Sequence, residues 1–186
     1  MPSPERKARA WGREAFRSLL TASVSLTPKR DTVVLASFPD FDDNAVALHR
    51  ALVCHTEVDV CWLTTEGAPP PTYVPRERTR FVPKRSAAGL FEYLRASHVF
   101  HTHGLFGCPA PSRNQTVTNI WHGMPGKTVG VPDGRPPLPA TLTVATSEFY
   151  RGVMSEYMGV PLESVVLTGQ PRTDLFEQSD KADVAA

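Results

Sequence analysis

Only three cysteines, Cys54, Cys61 and Cys108, occur in the 186 residues, an odd set without the paired spacing of a disulfide framework or a zinc site. That scarcity points to a reducing compartment, and the chain reads as cytoplasmic. No apolar run approaches the roughly 18 residues that span a bilayer, and the N-terminus lacks an apolar core followed by a cleavage site. Neither secretion nor integral insertion is expected. The sequence contains no G-x-G-x-x-G, so a nicotinamide or flavin cofactor has no support, and no cofactor is expected. No internal repeat is visible, and the net charge is only +1.

Hydrophobic residues make up 41% of the chain and charged residues 21%, enough to bury a sizeable core in one domain. The small net charge hides an asymmetry. In residues 1–30, Arg6, Lys7, Arg9, Arg13, Arg17, Lys29 and Arg30 stand against Glu5 and Glu14, giving +5 there and −4 in the remainder. Written as a helix, residues 6–20 gather Trp11, Ala15, Phe16, Leu19 and Leu20 on one half, with the arginines along its border. A basic amphipathic helix of this kind docks either on an anionic membrane surface or on a protein face, and both readings stand. Nucleic acid is not expected as a partner, because only Trp11 and Phe16 interleave the basic residues and no nucleic-acid module accompanies them.

From Asp31 onward short apolar runs alternate with helical patterns. Strands are predicted over 32–37, 58–63, 80–82, 98–102, 116–121, 142–145 and 165–167, and helices over 45–54, 86–95 and 147–158. Asp42, Asp43 and Asn44 supply caps for the first helix, a better explanation of the Asp40, Asp42 and Asp43 group than a paired-carboxylate or cation site. The proline-rich stretches around 69–75 and 131–139 read as surface loops. This rhythm implies an α/β fold built on a Rossmann-like, doubly wound parallel sheet. It spans residues 31–176, preceded by the basic segment 1–30 and followed by a polar tail, 177–186.

Ligands in open α/β sheets bind beyond the carboxyl ends of the strands, and two strand ends carry chemistry. One is Thr102-His103-Gly104. The other is Trp121-His122-Gly123-Met124-Pro125-Gly126-Lys127. Glycine after histidine lets the backbone turn sharply and approach a ligand, and proline stops the strand. His122 is therefore presented at a strand end. An imidazole there can serve as a general base towards an alcohol, with Lys127 holding phosphate charge nearby; spacing alone leaves that reading level with a hydrogen-bonded structural histidine. The H-x-H-x4-C spacing of His101, His103 and Cys108 lacks a fourth ligand, so these are expected as cleft or loop residues and no metal site is assigned.

The segment WHGMPGKTVG, Trp121 to Gly130, resembles the WHG-x-P-x-K-x-x-G signature of CDP-glycerol glycerophosphotransferases, the enzymes that prime and polymerise teichoic acid chains. Three further segments agree in order. SFPDFDDNAVAL, from Ser37, resembles the family's first strand end and Asn-bearing helix start. ASHVFHT, from Ala96, resembles the strand before the histidine motif. Between Thr146 and Asp174, TSEFYRGVMSEYMGV and GQPRTD resemble a helix and the G-x-PR-x-D at the junction between halves. Two motifs about 40 residues apart in the right order are far more specific than a lone histidine.

The resemblance implies the N-terminal, acceptor-side half of a glycosyltransferase-B-like fold. CDP-glycerol and a lipid-linked or glycan acceptor would be its substrates, and the inner face of the cell membrane a possible station. It implies His122 as the catalytic residue, which would deprotonate the acceptor hydroxyl or contact the pyrophosphate, with Gly123, Lys127, His103 and Arg172 as substrate-binding residues. For Arg172 an ion pair with Asp174 that locks the junction turn is the favoured alternative. The sequence ends in QSDKADVAA soon after Asp174, so a C-terminal partner domain that holds the nucleotide is expected to be needed for turnover. Two other functions stand beside this one: a binding module without turnover, and a nucleotide-sugar glycosyltransferase, since fold alone does not fix the donor.

Overall fold

The computed structural model describes residues 22–66, 68–105 and 107–175. The helix expected over residues 6–20 and the polar tail lie outside the described residues. Among the described residues no helix is long and apolar enough to cross a membrane. Residues 22–26 are helical, Val24 is fully buried, and the Lys29 ammonium donates to the carbonyls of Val24 and Leu94 at 2.8 and 2.6 Å.

Ten regular elements follow: β1 (Arg30–Ala36), α1 (Asp43–His55), β2 (Asp59–Thr64), β3 (Thr79–Pro83), α2 (Ala87–Arg95), β4 (Ala96–His101), β5 (Thr116–Asn119), β6 (Leu142–Ala145), α3 (Glu148–Met158) and β7 (Val165–Leu167). The strands form one seven-stranded sheet in the order β3-β2-β1-β4-β5-β6-β7, and every pair is parallel. Strands buried on both faces read as continuous apolar runs, as in the TVVLA of β1. One face packs Val34, Ala36, Cys61, Leu63, Val99 and Val117 against Tyr93 of α2. The other packs Val33, Leu35, Val60 and Trp62 against Ala45 and Val46 of α1.

Each of α1, α2 and α3 begins where a side chain satisfies its first amides. Asp42 accepts from Asn44 N–H at 3.0 Å, Ser86 from Gly89 N–H at 3.0 Å, and Ser147 from Tyr150 N–H at 3.3 Å. The last of these helices stops at Gly159, in the left-handed conformation. The strand expected over 116–121 ends early, at Asn119. The Asn119 side chain accepts the Trp121 N–H at 3.1 Å, and Trp121 turns to a φ of 45°, so a local side-chain bond ends the ladder.

Candidate functional site

The strand order reverses between β1 and β4, the point where an open parallel sheet leaves a crevice at its carboxyl edge. Register brings three strand ends level there, with Ala36 beside His101 and His101 beside Asn119. The segments leaving these strands therefore converge. Phe38 follows β1, His103 follows β4, and His122 follows β5.

His122 is exposed and stacks on His103, with ring centroids 4.1 Å apart and planes 8° from parallel. Trp121 lies against the same pair, 4.3 Å from His122 and 5.7 Å from His103, and Phe38 meets the edge of His103 at 5.6 Å. The Thr102 hydroxyl sits 3.0 Å from His103 Nδ1 and accepts the Phe38 N–H at 3.1 Å, fixing the ring against the end of β1. His101 does not share the cleft expected for it. It is fully buried, and its Nδ1 accepts the Gly104 N–H at 3.0 Å, closing the turn that carries His103 outward.

Both stacked imidazoles are held towards their neutral forms. Burial, the neighbouring His122 and the Lys84 ammonium push His103 down to about 4. Burial and the Arg172 guanidinium also lower His122, against a hydrogen bond to the Thr102 backbone and the Asp43 carboxylate, which favour its charged form. Desolvation thus outweighs the favourable charges. An unprotonated, exposed imidazole at this place can accept a proton.

Arg172 reaches the same group from the turn after β7. The expected partner, Asp174, is not the one found: the guanidinium pairs with Asp43 at 3.1 Å. The reason is spatial, since the 171–173 turn packs on the N-terminus of α1, where Asn44 Oδ1 accepts the Arg172 N–H at 3.2 Å. Gly123 lies beside this arginine, and a Cβ there would come within 4.0 Å of its terminal nitrogen. Lys127 is exposed and joins the others through a cavity of about 590 Å³ that it lines with His103, Trp121, Arg135 and Tyr157. Among the described residues no cluster of His, Cys, Asp or Glu is arranged to hold a metal ion.

Asp43, Asn44 and Lys84 were not foreseen as site residues. Lys84 is 8% exposed; its ammonium donates to the Ser37 carbonyl at 3.0 Å and pairs with Asp40. Asn44 and Asp43 read from sequence as caps only, and their contacts with Trp121 and Arg172 span 77 to 129 residues. No local pattern carries that information.

Solved structures of a wall teichoic acid polymerase share the fold. The wall teichoic acid polymerase TagF superposes with a TM-score of 0.68 at 16% identity, covering 90% of this chain and 45% of that one. A histidine-to-alanine variant of TagF gives 0.67 at 14% identity, covering 99% and 52%. A histidine-to-asparagine variant soaked with CDPG gives 0.66 at 17% identity, covering 86% and 44%. The chain thus spans about half the length of these structures. A search of curated proteins found no match. The sequence profile described as CDP-glycerol:poly(glycerophosphate) glycerophosphotransferase matches residues 18–186, nearly the whole chain, and the chain belongs to that family.

Proposed function

We propose that this chain is the acceptor-side half of a glycerophosphotransferase, and that it transfers glycerol phosphate from CDP-glycerol to a teichoic-acid-type acceptor with His122 as general base. The observation that supports this reading is the stack of His122 on His103 and Trp121 at the sheet's switch point. In the reaction the acceptor's terminal hydroxyl gives its proton to the His122 imidazole as its oxygen attacks the β-phosphorus. A new P–O bond forms, the bond from the β-phosphorus to the bridging oxygen breaks, and CMP leaves. Catalysis of such a transfer is mostly positioning and charge stabilisation.

Each residue has a part in that scheme. The imidazolium formed on His122 is stabilised by the flat face of Trp121 and by Asp43. Lys127 and Arg172 face the phosphate charge, and Gly123 keeps the approach open. The nucleotide is held by a second, donor-binding half, in keeping with the half-length coverage of the TagF structures.

The experiment combines the chain with its donor-binding half and follows transfer from radiolabelled CDP-glycerol. His122→Ala should lower the rate by roughly 100-fold or more, with the melting temperature little changed because the side chain is exposed. Transfer at the parent rate would refute the assignment, and loss of folding would make His122 a structural residue.

A further inference from the structure

Asn44, the second residue of α1, is fully buried, yet both ends of its amide are engaged by segments remote in sequence. Its Nδ2 donates to the Trp121 carbonyl at 3.0 Å. Its Oδ1 accepts the Arg172 N–H at 3.2 Å. Only a side chain that is donor and acceptor at once satisfies both partners; an aspartate offers two acceptors and an aliphatic residue offers neither. The carbonyl it holds belongs to the peptide unit that also contains the His122 nitrogen, and that unit is planar. Fixing the Trp121 oxygen therefore fixes the plane that sets the His122 nitrogen and Cα, the point from which its side chain departs. Trp121 also has a φ of 45°, a conformation that bulky residues keep only where their surroundings impose it.

We propose that Asn44 is the positioning residue of His122. It clamps the histidine-bearing turn after β5 to the N-terminus of α1 and to the arginine-bearing turn after β7. Asp43 completes the clamp by pairing with the Arg172 side chain. The catalytic consequence rests on His122 being the base, whereas the orientation of its ring can be read independently of turnover.

The test compares Asn44→Asp, which keeps the acceptor for Arg172 but sets an acceptor against the Trp121 carbonyl, with Asn44→Ala and His122→Ala. Folded fraction, kcat, the KM for CDP-glycerol and the NMR resonance of the His122 ring are measured for each. For folded Asn44→Asp, kcat should fall roughly 10- to 100-fold at unchanged KM, and the His122 resonance should move from its parent position. A folded Asn44→Asp with an unmoved resonance and the parent kcat overturns the proposal, as does a kcat that falls only in step with the folded fraction. If His122→Ala turns over at the parent rate, the base assignment fails while the resonance still decides what Asn44 does. Should neither Asn44 variant fold, the parent protein answers through its Asn44 side-chain amide protons, whose slow exchange supports the clamp and whose fast exchange overturns it.

Discussion

Lys84 and Asp40 illustrate how single residues hold the crevice. Their side chains are 7% and 10% exposed, and the Asp40 carboxylate also accepts the Thr65 N–H at 2.6 Å. Burial works against the Asp40 charge, but the bonds from Lys84 and Thr65 outweigh it and hold this carboxyl below its usual range. Removing one partner of such a pair strands the other, whereas removing both can be nearly neutral. Lys84→Met should therefore cost about 3–5 kcal/mol, and Lys84→Met with Asp40→Leu should recover much of that loss in urea unfolding. A double variant no more stable than Lys84→Met would count against the pair as the cause. That His122, Gly123 and Lys127 gather beyond one strand end was legible because their motif is contiguous; their roles belong to the proposal. The place of Lys84 was not legible, since VPKRS reads as an ordinary charged loop and its partner lies 44 residues away.

At the scale of elements, one loop and one helix are fitted by glycine. Gly130 has a φ of 74°, and a Cβ on it would lie 2.0 Å from the Tyr157 carbonyl oxygen. The Leu138 N–H also donates to the Met158 carbonyl at 2.9 Å, so the loop that carries Lys127 is fastened to the end of α3 at two points. Gly130→Ala should cost about 1–3 kcal/mol and, under the proposed function, weaken transfer by loosening the wall that Lys127 shares with His103. Gly126→Ala, which has open space around it, should change neither; equal urea midpoints for the two variants would remove the packing argument. The strands and helices themselves were legible because buried parallel strands and polar caps leave local patterns. Two features were not: the end of β5, set by the Asn119 side chain, and the strand order that joins β1, β4 and β5 into one crevice.

Across the whole molecule, buried histidines couple stability to pH. His49 and His101 are fully buried, and burial lowers them to about 4 and about 3; His103 stands at about 4. An unfolded histidine titrates near 6.5. Between about pH 6.5 and pH 4 the unfolded chain therefore binds protons that the folded chain refuses at His49, His101 and His103, with His122 lowered in the same sense, and stability falls as pH falls through this window. Asp42 works in the opposite sense. Burial and the Asp43 charge raise it to about 6, so the folded chain binds that proton first and gains stability as pH falls below 6. One raised carboxyl does not offset these depressed imidazoles. The net loss is on the order of a few kcal/mol, comparable with the stability of a typical domain. The urea midpoint should therefore drop steadily from pH 7 to pH 4.5, and His49→Gln should flatten that drop while costing stability at pH 7, where its 2.8 Å bond to Thr79 is present. An unchanged midpoint across this range would mean that the imidazoles gain their protons without unfolding, and that their burial is not what opposes the charge.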